Sequence, residues 1–302
     1  MWQCSCGFHN RACNAVCGGE GVLGCKAPGA SAASTAPACE PEPEIPPRGE
    51  NSLRLVTYNL WFSPKEQALR MAAVAKILEE ADADVVALQE VTDVLLGLLL
   101  ANLDDKQWQV LKQLPAHPED LFTYETSYFT CLFVRRPARI IEHLCVRFTI
   151  TAMARALQYV FLAVDGRTII VATSHLESPV AKRSCQDIRE QQLEEGLREL
   201  RRLQDLHNCL GAVWLGDMNW ETEEMNLPPG WTDVWPEMRR PEPTFHANQG
   251  QSCSTLARLD RVLAFGMRGS FISRLGMQEV AGGCYPSDHY GVLVVLALPP
   301  GH

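Results

Sequence analysis

The 302-residue sequence has no apolar run long enough to cross a lipid bilayer. Its longest apolar stretch, VLLGLLLANL near residue 100, is far shorter than the roughly 20 apolar residues that a membrane helix needs. The N-terminus, MWQCSCGF, also lacks the basic segment and the apolar segment of a secretory signal. We therefore expect a soluble protein in a reducing compartment.

Positive charge is also scarce, since 27 lysines and arginines stand against 36 aspartates and glutamates and the net charge is -9. Nonspecific affinity for duplex DNA comes largely from basic side chains that neutralise phosphates, so the composition argues against a protein that coats duplexes. An enzyme that grips a few nucleotides in a local basic cleft is compatible with it, and Arg155, Arg258 and Arg261 would contribute to such a cleft. The 46% hydrophobic content is enough for one large core.

Cysteine is concentrated at one end of the chain. Five of the 12 cysteines lie within the first 25 residues, namely Cys4, Cys6, Cys13, Cys17 and Cys25. In a reducing compartment this crowding favours a tetrahedral zinc site over disulfides, because zinc can fold a segment too small for its own core. We predict a zinc finger over residues 1–27 with Cys4, Cys6, Cys17 and Cys25 as ligands. The alternatives are Cys13 as the fourth ligand and a cysteine-rich tail without metal.

The rest of the chain divides into a linker and one domain. Residues 28–50 are rich in alanine, proline, serine and glutamate, and such a run cannot bury enough apolar surface to offset its ordering entropy. We predict a flexible linker there and a single domain over residues 51–299. Within the domain, apolar periodicity predicts helices over 65–80, 91–103 and 184–207. Strands are predicted over 53–58, 84–88, 129–135, 139–148, 156–164, 167–174, 212–216, 259–264, 271–280 and 291–298.

The order of these elements suggests paired antiparallel sheets with helices outside. The turn at Asp165-Gly166 supports this arrangement, because Asp-Gly favours tight hairpins between antiparallel strands. We therefore predict an α/β architecture.

Polar side chains of the kinds that one reaction needs follow several of the apolar strands. They are Asn59 in TYN, Glu90 in LQE, His175 in ATSH, Asp217 and Asn219 in GDMN, and His289 in SDH. Mg²⁺ prefers one or two carboxylates and takes its other ligands from water and substrate phosphate, so Glu90 is the natural anchor. Hydrolysis of a phosphodiester also needs a base or orienter for water and groups that stabilise the developing charge. Together these residues indicate a metal-dependent phosphodiester hydrolase.

Taken singly, the same residues have simpler explanations. Asp217 and Asn219 can form an Asx turn after a strand, and His175 can be a hydrogen-bonded residue at a sheet edge. The prediction depends on the coincidence of several such clusters at strand ends.

Eight short segments, spread over residues 51–299, resemble the endonuclease/exonuclease/phosphatase superfamily: TYNLWF, LQEV, MAR, ATSHLESP, GDMNW, TDVW, LDR and PSDHYG. Within it the chain is most similar to the tyrosyl-DNA phosphodiesterase 2 family, particularly its plant-type members, because of TSHLES, GDMNW and PSDHYG. The resemblance implies a four-layer α/β sandwich of two packed, mostly antiparallel sheets with outer helices. The segment from Trp2 to Asn10, with Cys17 beyond it, resembles a Ran-binding-protein-2 type zinc finger, which plant-type members carry.

The resemblance implies a role for each matching residue. Glu90 would be a metal ligand, Asp288 would touch the metal shell, and Asn59 would support the metal and the scissile phosphate. Asp217 would position or deprotonate the attacking water, and Asn219 would bind a phosphate oxygen.

Further roles follow from the same resemblance. His289 would stabilise the transition state, and Asp260 would orient its imidazole through the second ring nitrogen. Phe245 stands where a tryptophan is common and keeps an aromatic face for base stacking, which is worth about 1 to 3 kcal/mol per base. Phosphate or substrate contacts would come from Arg155, His175 and Ser178.

Two features depart from the family pattern. Glu221 occupies a position where animal members carry an arginine, and an acid there would repel DNA phosphate, so the groove must be charged differently. The segment between Gly276 and Pro286 is shorter than in plant relatives, so the loop beside the site is trimmed.

The implied activity is Mg²⁺- or Mn²⁺-dependent hydrolysis of 5′-phosphotyrosyl bonds that link topoisomerase 2 remnants to DNA, leaving a 5′-phosphate, in nuclear and also cytoplasmic DNA repair. The implied partners are DNA 5′ ends with a short single-stranded stretch and the tyrosyl peptide, with ubiquitin or RNA at a finger that holds structural Zn²⁺. Two alternatives remain. One is another phosphodiesterase of this fold, such as an abasic endonuclease, an RNA deadenylase or a small-phosphoester hydrolase; the other is a noncatalytic zinc-finger adaptor.

Overall fold

The structure is a computed structural model that describes residues 2–3, 9–10, 42–113, 128–180, 185–246, 256–281 and 283–298. Near the N-terminus, β1 (Trp2–Gln3) pairs antiparallel with β2 (His9–Asn10). The predicted zinc ligands Cys4, Cys6, Cys17 and Cys25 lie outside the described residues, as do Cys13 and residues 28–41. Among the described residues, no helix is long and apolar enough to cross a membrane.

Two six-stranded sheets make up the centre of the domain. Sheet I contains, in spatial order, β15 (Arg268–Leu275), β16 (Gly291–Ala297), β3 (Ser52–Asn59), β4 (Val85–Val91), β6 (Phe129–Arg135) and β5 (Trp108–Lys112). Sheet II contains β11 (Trp231–Asp233), β14 (Asp260–Phe265), β10 (Gly211–Asp217), β9 (Arg167–His175), β8 (Ala156–Val164) and β7 (Arg139–Arg147). A short ribbon pairs β12 (Phe245–His246) with β13 (Leu256–Ala257).

Each large sheet contains one parallel pair, β3 with β4 and β9 with β10, and its other pairs are antiparallel. Parallel neighbours need a crossover, and helices supply it here: α1 (Gln67–Ala81) joins β3 to β4, and α3 (Gln186–Leu206) joins β9 to β10. The remaining helical segments are α2 (Asp93–Leu100), α4 (Val234–Met238) and a 3₁₀ turn at Asp105–Gln107. The prediction of mostly antiparallel sheets with outer helices is confirmed.

Three clusters of buried apolar side chains separate four layers. The first lies between the two sheets, the second between sheet I and the helices α1 and α2, and the third between sheet II and α3. The predicted leucine stripe of α3 is buried in or beside the third cluster, and its members are Ile188, Leu193, Leu197, Leu200 and Leu203.

The face of β3 that meets sheet II changes character along its length. Leu53 and Leu55 belong to the apolar cluster between the sheets, whereas Thr57 and Asn59, on the same face, are polar. In β10 the inward residues Val213 and Leu215 are followed in the same way by Asp217. The gap between the sheets is therefore aliphatic at one end and polar at the other.

Local geometry confirms one predicted turn and corrects one strand. Asp165 and Gly166 both have positive φ (49° and 75°) in the hairpin between β8 and β9, as a type I′ turn requires. The strand predicted over 271–280 is β15 at 268–275. It ends because Gly276 has φ 73°, and a Cβ there would lie 2.1 Å from Tyr58 Oη. The strands β5, β11, β12 and β13 and the helix α4 are not predicted, because each is too short to show a period.

Residues 42–50, which we call the strap, correct the predicted linker. The carboxylate of Glu42 forms ion pairs with Arg239 and Arg274, and Arg48 forms ion pairs with Asp82 and Asp84. Ile45 packs against the cluster under α1. The prediction of a flexible segment is therefore wrong for the strap, because its few charged and apolar side chains find partners on the domain.

Candidate active site

The predicted site residues lie along one edge of the sandwich. Asn59, His175 and Asp217 end β3, β9 and β10, and Glu90 lies one residue before the end of β4. Since β3 with β4 and β9 with β10 run parallel, these ends point the same way. Asp260 begins the antiparallel strand β14, where its Cα is the register partner of Asp217. The chain direction therefore brings the predicted residues together.

Three hydrogen bonds between side chains cross from one sheet to the other near this edge, and we call them the polar seam. Asn59 Nδ2 donates to Asp217 Oδ2 (2.9 Å), Gln89 Nε2 donates to Thr173 Oγ1 (3.1 Å), and Thr130 Oγ1 bonds Gln158 Oε1 (2.8 Å). These residues are all buried. Gln89 was not predicted to have a role, although it stands in the LQE segment.

Asp217 is held as a carboxylate at the centre of the site. Its Oδ1 accepts from Asn219 N at 2.9 Å, and its Oδ2 accepts from Asn59. Burial alone would raise the pKa of Asp217, but the positive charge of His289 and these hydrogen bonds hold it below its ordinary value. An ionised, buried Asp217 can accept a proton.

His289 lies between two carboxylates. Its Nδ1 is 2.8 Å from Asp260 Oδ2, and its Nε2 is 3.7 Å from Asp217 Oδ2. Burial lowers the pKa of His289, but the charges of Asp260 and Asp217 outweigh it and raise that pKa to about 10. The ring is therefore an imidazolium at neutral pH. Its backbone N–H donates to Ser287 Oγ (3.1 Å).

Thr244, which the sequence analysis did not single out, supports Asp260. Its Oγ1 accepts from the backbone N–H of Asp260 (3.0 Å) and of Leu259 (3.1 Å). Its carbonyl accepts from Tyr290 N. Thr244 thus contacts segments on both sides of the Asp260–His289 pair.

Glu90 lies at a bulge in β4, where the register with β6 shifts between Leu88 and Val91, and its φ is 55°. Its Oε2 accepts from Phe62 N (3.1 Å). Burial, followed by the nearby charges of Asp288 and Asp217, raises the pKa of Glu90. A bound cation would relieve mutual repulsion of this kind.

Asp288 has the same character. Burial is the main cause that raises its pKa, and Asp217 adds to the rise. Glu90 and Asp288 are each half-buried, so neither residue is fully closed to solvent. Neighbouring carboxylates match the hard oxygen ligands that a divalent cation prefers, and these residues fit the metal that the resemblance implies.

Another group of potential ligands consists of Asp217, Asp260 and His289, whose ligand atoms lie within 4.8 Å of one another. A protonated imidazole has no free lone pair for a metal. Asp260 and Asp217 raise the pKa of His289 to about 10, so the protonated ring offsets part of the negative charge of these two carboxylates. Glu90 with Asp288 is the other candidate position for a metal.

A second polar cluster surrounds Arg155. Its Nη2 lies 2.9 Å from Ser178 Oγ, 3.1 Å from Tyr128 Oη and 3.4 Å from His175 Nε2. Asn219 Nδ2 donates to Ser178 Oγ (3.2 Å). Arg155, His175 and Ser178, which were predicted to contact phosphate or substrate, therefore lie together beside Asp217.

His175 is neutral in this cluster. Burial and the charge of Arg155 lower the pKa of His175 to about 3. It can therefore contribute a hydrogen bond but not a positive charge, and Arg155 is the cation of the cluster.

Aromatic rings flank the site on two sides. The ring of Phe245 lies 5.0 Å from that of His289. Phe62 stacks on Tyr128 with ring centroids 5.0 Å apart, and Phe62 is 45% exposed. Exposed aromatic faces are suited to stacking of unpaired bases. Phe62 lies in the TYNLWF segment, but no sequence pattern singled out Tyr128.

Arg70 is a buried cation that the sequence analysis did not single out. From α1 its guanidinium donates to the carbonyls of Pro286 (2.9 Å), Trp61 (2.7 Å) and Lys65 (3.1 Å). It ties the loop after β3 to the segment that carries Asp288. An arginine among the apolar positions of a predicted helix was the available signal.

Two predicted sources of cleft charge do not contribute. Arg258 and Arg261 are buried, and both guanidinium groups donate to Asp233 Oδ2 at 2.9 Å. Both arginines pair with Asp233 of β11. These ion pairs occupy the guanidinium groups, so they are not available to bind DNA phosphate. Glu221, in turn, pairs with Arg189 at 3.1 Å, which offsets part of its negative charge.

Comparison with known proteins shows the family of this chain. The sequence profile of the Endonuclease/Exonuclease/phosphatase family matches residues 56–289, which include Asn59, Glu90, Asp217 and His289. The chain belongs to this family. Membership in a family supports the scaffold but does not by itself assign the substrate.

Similar proteins within the family share one description. Tyrosyl-DNA phosphodiesterase 2 of Homo sapiens is 25% identical over 279 residues, which cover 86% of this chain and 72% of the relative. The Xenopus laevis protein of the same name is 26% identical over 263 residues, covering 81% and 66%. The crystal structure of D. rerio TDP2 complexed with single strand DNA product superimposes with a TM-score of 0.69 at 21% identity, covering 82% of this chain and 99% of that one.

Proposed function

We propose that this chain is a phosphodiesterase that hydrolyses 5′-phosphotyrosyl bonds at DNA ends and leaves a 5′-phosphate. The observation that carries the proposal is the buried arrangement of ionised Asp217 between Asn59 and protonated His289. Similarity to tyrosyl-DNA phosphodiesterase 2 of Homo sapiens supports the choice of bond. The wider role would be the repair of topoisomerase 2 damage, in which the substrate is a tyrosyl peptide remnant.

In the proposed reaction, Asp217 accepts a proton from the water that attacks phosphorus. Asn59 fixes the orientation of the Asp217 carboxylate, and Asn219 bonds a phosphate oxygen. As the bond from phosphorus to the tyrosyl oxygen breaks, negative charge grows on the phosphoryl oxygens, and the imidazolium of His289 stabilises it. Asp260 keeps that ring charged and oriented. Proton transfer by a positioned group contributes roughly 100-fold to 10,000-fold to such a rate.

The proposed cofactor is Mg²⁺ or Mn²⁺, held by Glu90 and Asp288. When bound, it would neutralise phosphate charge and polarise the scissile group. The chain itself contributes the position of the carboxylates: the bulge in β4 aims Glu90, and Arg70 holds the segment that carries Asp288.

The proposed DNA contact is short and single-stranded. The phosphate contacts would come from Arg155, Ser178 and His175, and Phe245 would stack on a base. A single buried arginine flanked by rings suits a few unpaired nucleotides better than a long duplex, which agrees with the net charge of -9.

Several finer parts of the proposal rest on the sequence resemblance. They are a plant-type N-terminal finger with structural Zn²⁺ at Cys4, Cys6, Cys17 and Cys25, ubiquitin or RNA as its ligand, and residence in the nucleus and also the cytoplasm. Zinc analysis of the purified full chain, pull-down with ubiquitin or single-stranded RNA, and imaging of a tagged chain test them in turn.

The deciding experiment uses a single-stranded oligonucleotide with a 5′-phosphotyrosine. We expect release of tyrosine and a 5′-phosphate end with Mg²⁺ or Mn²⁺, and loss of both with a chelator. An abasic duplex and an RNA tail serve as competing substrates. Faster cleavage of either one would replace the phosphotyrosyl assignment with a sister activity, and inertness towards all three would favour the adaptor alternative.

A further inference from the structure

The strap places the carboxylate of Glu42 against buried Arg274 and half-buried Arg239. Glu42 Oε1 lies 2.6 Å from Arg274 Nε and 3.2 Å from Arg239 Nη2, and Glu42 Oε2 accepts from the backbone N–H of Arg274 at 3.0 Å. The Arg274 side chain is only 2% exposed. Glu42 therefore fixes both the backbone and the guanidinium of one buried residue.

Arg274 in turn contacts the chain segment 242–246 and holds it in place. Its Nη2 pairs with Glu242 Oε2 at 2.8 Å, and its Nη1 donates to the carbonyl of Pro243 at 3.1 Å. Its guanidinium also lies over the ring of Tyr290, 5.6 Å from the centroid. A planar guanidinium with donors on several edges holds such partners in one fixed geometry.

The segment 242–246 ends in the active site. Thr244 Oγ1 accepts from the backbone of Asp260 at 3.0 Å, and the ring of Phe245 lies 5.0 Å from the ring of His289. The next residue, His246, donates its backbone N–H to the carbonyl of Asp288 at 3.0 Å. These three contacts hold Asp260, the ring of His289 and the backbone of Asp288, which precedes His289.

We propose that Glu42 is a positioning residue for the Asp260–His289 pair and acts through Arg274 and the segment 242–246. The inference deepens the proposed function, on which its kinetic test rests. It also gives Glu42 a part in catalysis, although the sequence predicts a flexible linker there. Small displacements of reacting groups have large rate effects, so a residue that acts on the imidazole through intervening residues can control turnover.

A purely structural role for the strap is the competing explanation, and Arg48 provides the matched control. Arg48 lies in the same strap and pairs with Asp82 and Asp84, which lie between α1 and β4. In the full chain, Arg48→Ala removes a strap anchor of similar type without touching the segment 242–246. Glu42→Gln keeps the size of the side chain and one acceptor, whereas Glu42→Ala removes both.

The kinetic test uses the 5′-phosphotyrosyl oligonucleotide. We expect kcat to fall about fivefold to tenfold in Glu42→Ala and less in Glu42→Gln, with KM within about twofold of wild type. Arg48→Ala should keep the wild-type kcat even if its thermal midpoint falls. Equal kcat losses in Glu42→Ala and Arg48→Ala would overturn the proposal in favour of a structural strap.

A double-mutant cycle tests the route of the effect. Thr244→Val removes the hydroxyl that bonds Asp260 N. If Glu42 acts through this segment, Glu42→Ala in the Thr244→Val background should lower kcat less than it does in the wild type. Independent, additive losses would overturn the route through Thr244.

A measurement without turnover separates this inference from the proposed function. Amide hydrogen exchange in peptides that cover residues 242–246 and 288–290 should rise about tenfold in Glu42→Ala and stay at the wild-type rate in Arg48→Ala. This result stands even if the phosphotyrosyl substrate proves to be wrong. Unchanged exchange in both peptides would end the proposal whatever the activity.

Discussion

Asn59 at the end of β3 and Asp217 at the end of β10 belong to different sheets, yet the amide of one donates to the carboxylate of the other at 2.9 Å. The same carboxylate accepts from Asn219 N and faces the His289 imidazolium. This hydrogen bond of the polar seam thus links the two sheets and orients the proposed base.

Asp217→Asn should abolish proton acceptance while keeping the shape of the side chain. We expect kcat on the 5′-phosphotyrosyl oligonucleotide to fall roughly 100-fold to 10,000-fold, with a thermal midpoint close to wild type. Asp205→Asn, on the exposed end of α3, is the matched control and should retain full turnover. Turnover of Asp217→Asn within a few-fold of wild type would exclude Asp217 as the base.

Glu90→Gln should lower activity and raise the metal-free stability. The pKa of Glu90 lies above its ordinary value, so its ionised form destabilises the fold. That cost is absent below the ordinary carboxyl pKa and grows as pH rises through the raised one. We expect the thermal midpoint of metal-free Glu90→Gln to lie above that of metal-free wild type at pH 7. Near pH 4 the two midpoints should be equal.

Bound Mg²⁺ should reverse the order of the thermal midpoints of wild type and Glu90→Gln. Titration with Mg²⁺ should raise the thermal midpoint of wild type more than that of Glu90→Gln, because binding to the native state stabilises it. The variant should also lose most of its turnover without unfolding. A full response to Mg²⁺ in Glu90→Gln would remove Glu90 from the proposed metal position.

Asp260→Asn should shift the upper pH limit of the reaction. The pKa of His289 is raised to about 10 chiefly by Asp260 and Asp217, so the imidazolium is present below that pH and is lost above it. Without the Asp260 charge, kcat should begin to fall nearer neutrality, and a pH–rate profile measures this. His289→Ala should lose most activity at every pH while remaining folded. A pH limit that does not move in Asp260→Asn would contradict the charge pair.

Phe245→Ala should weaken substrate binding more than it slows chemistry. Stacking of a base on an aromatic ring is worth about 1 to 3 kcal/mol, so we expect KM for a single-stranded substrate to rise roughly fivefold or more. Phe245→Trp keeps the aromatic face and should retain a KM near that of wild type. Equal KM values in all three proteins would place the base elsewhere.

The structure brings together residues that the sequence places at the ends of separate strands, and their catalytic roles stay predictions. Asn59, Glu90 and Asp217 need only the strand direction to be brought to one edge, and apolar runs reveal that direction. Arg258 and Arg261 were predicted wrongly for the cleft, because their acid Asp233 lies 25 and 28 residues away and no local pattern shows the pairing. Whether a charged side chain is available to a ligand therefore depends on ion-pair partners that are distant in sequence.

The strap shows the same limit. Glu42 and Arg274 are separated by 232 residues, and the composition of residues 28–50 indicates a linker. Thr244 likewise stands in a segment without periodicity, so its contact with Asp260 is a property of tertiary structure alone. Sequence patterns identify the groups that react, but the supports of those groups come from remote segments.

The polar seam has a consequence for how this domain can vary. Aliphatic side chains at the far end of the gap attract without direction, whereas the pairs Asn59–Asp217, Gln89–Thr173 and Thr130–Gln158 set a fixed distance between the sheets. Exchange of one aliphatic residue for another at the far end can therefore alter how firmly the layers adhere while leaving their spacing at the reactive edge unchanged. The aliphatic end of the gap between the sheets therefore contributes mainly to stability, and the polar end sets the geometry of the reactive groups.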